Sequence, residues 1–215
     1  MNRYSHVIWD WNGTLLDDVR FNLSVINTML EKRGLPPLDS LEAYRAVFSF
    51  PIIHYYKRVG FDMEKEPFEQ LAAEFIALYH AGKNSIPLFP GTEETLRAIS
   101  LAGIRQVILS ASEAGMLLEQ VQSYGIHAYF DEIIGIGDIY ASGKIDQGRA
   151  YMKRAKPARA ALIGDTTHDM ETAQALGADL ILIGRGHQSK QALLSCGAAL
   201  ADDFTQLPGI LGLHA

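Results

Sequence analysis

The sequence predicts an α/β protein: a parallel sheet covered by helices on both faces, with an all-helical block inserted after the first strand. Three observations carry this. From residue 91 onward, short and continuously apolar runs such as Val107-Ile108-Leu109 and Ala160 to Ile163 alternate with segments of helical period, the pattern of strands buried on both faces. Residues 18–85 carry helical periodicity and no strand-like run. Three apolar runs end in a polar residue, Asp10, Ser110 and Asp165, and open α/β sheets place their chemistry at the carboxyl ends of their strands.

The first element is the buried strand Val7-Ile8-Trp9, which delivers Asp10 to a turn signalled by Asn12-Gly13 and tied by the Thr14 hydroxyl. Val19, Leu23, Ile26 and Leu30 then mark one face of a helix that Gly34 stops and Pro36-Pro37 closes. Asp39 or Ser40 caps a second helix to about Phe48. Pro51 opens a third that Gly60 ends, and Pro67 opens a fourth with Leu71, Phe75, Ile76 and Tyr79 inward. Pro87 to Pro90 reads as a linker. Next come a helix from Thr92 to Ala102 with Thr92 as cap, a strand ending at Ser110, and a helix from Glu113 to Tyr124. A strand from Glu132 to Gly135, a helix from Lys144 to Ala155 and a strand from Ala160 to Ile163 follow. The chain finishes with a helix from His168 to Leu176, a strand from Leu180 to Ile183, a helical stretch from Gln188 to Leu194 and a short strand at Ala198 to Leu200. The chain thus divides into a core, residues 1–16 and 87–215, and a helical insert, residues 17–86.

Composition bounds the function. Of 215 residues, 48% are hydrophobic and 20% charged, enough apolar surface for a soluble globular core. A formal charge of −6 argues against nucleic-acid and anionic-membrane surfaces, which call for basic patches. Cys196 is alone, so no internal disulfide forms and a reducing cytoplasm fits. The N-terminus lacks the apolar run of a signal peptide, and no run approaches the ~20 residues that cross a bilayer. Oligomeric state is not written in these patterns.

At the predicted sheet edge, Asp10, Ser110 and Asp165 are joined by Asp169, one helical turn past Asp165, and by Lys144 at the start of a helix. Each alone has a plainer role: a turn acid, a helix-capping serine, a solvated lysine. Together they make a chemical set. Carboxylates brought close repel one another, and a hard divalent cation relieves that. Magnesium suits oxygen ligands and couples carboxylates to a substrate phosphate. Ser110 and Lys144 would face the remaining phosphate oxygens, with backbone N–H groups of Trp11 and Asn12 in the turn and of Ala111 at a helix N-terminus after Ser110. Asp10 is placed as a nucleophile that forms an aspartyl-phosphate.

In this order, Asp10-Trp11-Asn12-Gly13-Thr14, Ser110, Lys144 and Gly164-Asp165-Thr166-Thr167-His168-Asp169 resemble the haloacid dehalogenase (HAD) superfamily of hydrolases, whose sheet is Rossmann-like. The helical insert resembles the small α-helical cap of the branch that holds phosphoglycolate phosphatase and β-phosphoglucomutase. The resemblance implies a phosphatase acting on a small phosphorylated metabolite. It implies Mg2+ held by Asp10, the Asn12 carbonyl, Asp165 and Asp169, with Ser110 and Lys144 orienting phosphate. It also implies a cap that closes over the substrate.

Asn12 departs from that pattern. Family phosphatases carry a second aspartate there, which protonates the leaving oxygen and then activates water, and an amide has no titratable proton near neutrality. Four readings follow: a phosphatase with a substitute acid/base such as His168 or His54, a carbon–phosphorus hydrolase using Lys57 as a Schiff base, a dehalogenase, or a weakened phosphate binder. Asp165 and Asp169 count against the dehalogenase. Arg45, His54, Tyr55 and Lys57 are candidates for substrate choice. Asn12-Gly13 is also a deamidation signal, which would generate the missing acid.

Overall fold

The computed structural model describes residues 2–82, 85–137 and 143–213. Its centre is a six-stranded sheet of order β3-β2-β1-β4-β5-β6, with β1 (His6–Trp9), β2 (Arg105–Glu113), β3 (Glu132–Ile136), β4 (Ala160–Gly164), β5 (Asp179–Ile183) and β6 (Ala199–Ala201). All pairings are parallel. The chain builds outward from β1 on one side through β2 and β3, then returns to its other side for β4. The strands beside β1 thus diverge at the crevice where such sheets bind ligands. Trp9 is level with Ile108 of β2 and Ile163 of β4, and the Asp10 amide donates to the Ile163 carbonyl at 2.9 Å. Register alone therefore brings Asp10 after β1, Asp165 after β4 and Ser110 within β2 to one edge.

Period-two alternation decides the two faces. Val7, Trp9, Ile108, Ala161, Ile163 and Ile181 join the larger apolar cluster with Leu96 and Ile99 of α5 (Thr92–Leu101) and Leu117 and Val121 of α6 (Ala114–Ser123). Ile8, Leu109, Ala160 and Leu162 face the other way, onto Met152 of α7 (Lys144–Ala155) and Ala173 and Leu176 of α8 (Thr167–Leu176). Helices on both faces are what the continuously apolar strands require.

Between β1 and α5 the chain forms α1 (Val19–Glu31), α2 (Leu41–Val47), α3 (Ile52–Arg58) and α4 (Phe68–Gly82). Ser40 caps α2 by accepting from the Ala43 amide at 3.0 Å. Arg33 pairs with Glu66 and Glu74 at 2.5 and 2.6 Å and ties the end of α1 to α4. Ile26, Met29 and Leu30 of α1, Tyr44 of α2 and Leu71 of α4 belong to the same apolar cluster as Trp11, Leu15 and Leu16, so the core runs unbroken from the sheet into these helices.

Three local expectations change. β2 does not end at Ser110; it continues to Glu113, with a register shift against β3 between Leu109 and Glu113, and α6 starts only at Ala114. α5 is capped by Gly91 in the left-handed region (φ 87°), with Thr92 buried inside the helix. After β6 and a short 3-10 turn, α9 (Lys190–Leu194) having preceded them, the chain adds α10 (Leu207–Leu211); Leu207 and Leu211 are buried there. Among the described residues no helix is long and apolar enough to cross a membrane.

Candidate active site

The loop after β1 is folded by its own backbone. The Trp11 carbonyl accepts from the amides of Leu15 and Leu16 at 3.0 and 2.9 Å, and the Gly13 amide donates to the Leu16 carbonyl at 3.0 Å. The buried Trp11 indole anchors it by donating to Gln120 Oε1 at 3.1 Å. Gly13 sits at φ 71°, and a Cβ there, or on Gly186, would overlap the Asp165 carboxylate. Two glycines therefore let two chain segments close around one acid.

Asp10, Asp165 and Asp169 come together, each buried, with one ligand oxygen from each lying within 4.8 Å of the others. Lys144, 3% exposed, donates to Asp10 Oδ1 at 2.6 Å and Asp169 Oδ1 at 2.8 Å. Thr14 Oγ1 donates to Asp165 Oδ1 at 3.2 Å and lies 3.4 Å from Asp10 Oδ2. Asp169 Oδ2 closes the capping box of α8, accepting from the Thr166 hydroxyl at 2.8 Å and the Thr166 amide at 3.1 Å.

One ammonium against three acids leaves negative charge uncompensated. Burial pushes the Asp10 carboxyl up to about 6 against the opposing pull of Lys144, with Asp169 adding to the rise. Burial also pushes Asp165 up to about 8, opposed by His187 and reinforced by Asp10 and Asp169. Asp169 goes the other way: burial disfavours its charge, but Lys144 and the Thr166 donor outweigh that. Burial works against the Lys144 charge too, and Asp10 and Asp169 overcome it. Crowded, desolvated carboxylate oxygens with raised proton affinity match the donor set of a hard divalent cation.

Asn12 is built into a second network. Its Nδ2 donates to Asp18 Oδ2 at 2.8 Å and to the Tyr79 hydroxyl at 3.0 Å, and its Oδ1 accepts from Ser112 Oγ at 2.8 Å. Ser110 is buried and donates to Ser112 Oγ at 3.1 Å. Ala111 lies inside β2, not at a helix N-terminus. The N-terminus of α6 is four residues past Ser110 and is occupied by the Glu113 carboxylate, which accepts from the Gly115 and Met116 amides at 2.9 and 2.8 Å. The small polar run after Leu109 stays extended because β3 pairs with β2 as far as Glu113.

His187, in the loop after β5, is a site residue that sequence reasoning missed, although it lies at the same sheet edge. It is 5% exposed. Its amide donates to Asp165 Oδ2 at 2.6 Å, Nε2 faces Asp18 Oδ1 at 3.0 Å, and Nδ1 faces the Tyr44 hydroxyl of α2 at 2.7 Å. Burial disfavours its charge, but Asp18 outweighs this and raises it to about 9. Phe48 stacks on its ring at 4.9 Å, and Phe50 stacks on His168 at 4.8 Å. Arg45 Nε donates to the Gly186 carbonyl at 2.8 Å. His168 is half-buried and paired with Glu171 at 3.1 Å. His54 and Lys57 are exposed.

Residues 7–183 match the family described as haloacid dehalogenase-like hydrolase. The chain is similar to a phosphoglycolate phosphatase from Rhodobacter capsulatus, 27% identical over 95% of each chain. Among solved structures, a predicted phosphatase from Clostridium acetobutylicum superposes with a TM-score of 0.80 at 21% identity, covering 98% of this chain and 99% of that one. Protein Tyrosine Kinase A from Mycobacterium tuberculosis superposes with a TM-score of 0.82 at 23% identity, covering 98% and 99%. At these identities the two structures speak for the fold.

Proposed function

The chain belongs to the haloacid dehalogenase-like hydrolases, and from that membership we propose a magnesium-dependent phosphatase of small phosphorylated metabolites with Asp10 as nucleophile. The observation that carries it is the cluster of Asp10, Asp165 and Asp169 with Lys144 between two of them. Asp10 Oδ1 is held by Lys144 at 2.6 Å, while Oδ2 lies 3.4 Å from the Thr14 hydroxyl, so Oδ2, away from the ammonium, is the oxygen assigned the attack. Attack on phosphorus forms an acyl phosphate and breaks the bond to the ester oxygen, which takes a proton from solvent water. Water then releases inorganic phosphate and regenerates the Asp10 carboxylate.

Asp10, Asp165, Asp169 and the Asn12 backbone carbonyl would hold the ion, which when bound supplies positive charge beside the phosphoryl oxygens. Lys144, Ser110 and the amides of Trp11, Asn12 and Ala111 orient those oxygens. Residues 17–86 serve as the cap over a core of residues 1–16 and 87–215; Tyr44, Arg45, Phe48, Phe50 and Tyr79 are among its contacts with the site. Because Asn12 carries no titratable proton, turnover is slower than with a positioned acid/base by a factor of ~10²–10⁴. Relatives named for phosphoglycolate make that ester the first to try. The test is a panel of small phosphate esters, phosphoglycolate included, with Mg2+ and with wild type beside Asp10→Asn. Hydrolysis by wild type alone is expected. Binding without turnover of any ester would make the protein a phosphate binder instead.

A further inference from the structure

Asp18 is 1% exposed and accepts from the Gly13 amide at 2.8 Å, Asn22 Nδ2 at 2.7 Å, the Tyr79 hydroxyl at 3.1 Å and His187 Nε2 at 3.0 Å. This buried carboxylate, already met by those four groups, puts Oδ2 at 2.8 Å from Asn12 Nδ2. At that distance residue 12 must present a donor, because a buried acceptor facing another acceptor loses its hydrogen bond and meets like charge. Turning the Asn12 amide over would set its oxygen against Asp18 and its nitrogen against Ser112, so its orientation is fixed by both neighbours.

We propose that Asp18 is a positioning residue that selects amide over acid at residue 12: the site accepts a carboxylate at residue 12 or at residue 18, and not at both. The idea deepens the phosphatase reading, since it names what excludes the acid/base two residues past the nucleophile. It follows that restoring an aspartate at position 12 gives no faster enzyme unless residue 18 is neutralised in the same chain. With the two exchanged, the amide introduced at position 18 donates through its nitrogen to the carboxylate introduced at position 12, and Asn22 Nδ2 gives up its 2.7 Å bond to the side chain there and keeps the one to the residue-18 carbonyl at 3.0 Å. Tyr79 and Ser112 turn their hydroxyls to that carboxylate, and the Gly13 amide still donates to the side-chain oxygen at position 18.

The experiment is a cycle of wild type, Asn12→Asp, Asp18→Asn and the double variant. Each is measured for kcat and KM on p-nitrophenyl phosphate with Mg2+, and for Tm at one neutral pH. The expected result is that Asn12→Asp lowers Tm and gains no rate. The double variant recovers Tm and exceeds wild-type kcat by about tenfold or more, towards the range of a positioned acid/base, with KM little changed. Asn12→Asp/Asp18→Ser repeats the comparison without the swapped hydrogen bond. Ser suits position 18, which is the N-cap of α1, so a folding failure of one double variant leaves the other to decide. Asn12→Asp alone matching the double variant in kcat, or Tm losses that simply add, would overturn the proposal. If no variant hydrolyses any phosphate ester, the phosphatase reading fails on its own, and the Tm cycle still decides the exclusion.

Discussion

Lys144→Met removes the ammonium that bridges Asp10 and Asp169 and keeps a side chain of nearly the same length. In the structure that ammonium, on a residue 3% exposed, is 2.6 Å from one acid and 2.8 Å from the other. Taking one partner from a buried ion pair costs about 3–5 kcal/mol, which for a domain of this size lowers Tm by roughly 6–20 °C. The acids have one escape, to take up a proton. Asp10 already stands at about 6, raised by burial, and losing Lys144 raises it further. A carboxyl whose folded value lies above its unfolded one gives stability at low pH that is lost as pH climbs to the folded value. The gap between wild type and variant therefore widens from pH 5 to pH 8. Added Mg2+ replaces the missing charge and narrows it. Scanning calorimetry of both proteins at the two pH values, with chelator and with Mg2+, reads this directly. A variant as stable as wild type at pH 8 without metal would refute the electrostatic account of the cluster.

Mg2+ displaces protons from Asp165, pushed up to about 8, and Asp10, at about 6, so its stabilisation of the wild type in a thermal-shift assay grows between pH 5 and pH 8.5; a pH-independent shift would contradict this. His187→Gln removes the cation paired with Asp18. Since Asp18 raises His187 to about 9, that pairing stabilises fully below about pH 6.5 and fades towards pH 9, so the deficit of the variant, on the order of 3 kcal/mol at most, shrinks across that window in denaturation curves. Asn12 resists deamidation in the folded protein, because the Gly13 amide that would attack it donates to Leu16 O and Asp18 Oδ1; peptide mass spectrometry of aged native protein shows an intact Asn12, and conversion there would count against the loop geometry.

Asp10, Asp165, Asp169 and Lys144 were legible because each follows an apolar run or opens a helix at one edge of the sheet, and a parallel sheet gathers such positions regardless of sequence distance. The bounds of α7 were legible for a similar reason: Lys144 to Ala155 holds a helical period between clear breaks. Ser110 to Glu113 misled, since Ser-Ala-Ser has no strand pattern of its own and stays extended only through β3. Asp18 is the N-cap of α1; its second role depends on Tyr79 and His187 arriving from distant elements, which no local pattern shows. His187 sits where the edge rule applies, but Gly186-His187-Gln188 carries no pattern that sets it apart from an ordinary loop. α10 is five residues long and holds a proline and a glycine, too little for a period to show.

Rapid acid quench during turnover of a small phosphate ester with Mg2+, followed by peptide mass spectrometry, tests the central claim most directly. The account predicts one phosphoryl group on the peptide carrying Asp10, and none in Asp10→Asn. Turnover with no phosphoryl group at Asp10, or with one on another residue, would contradict it.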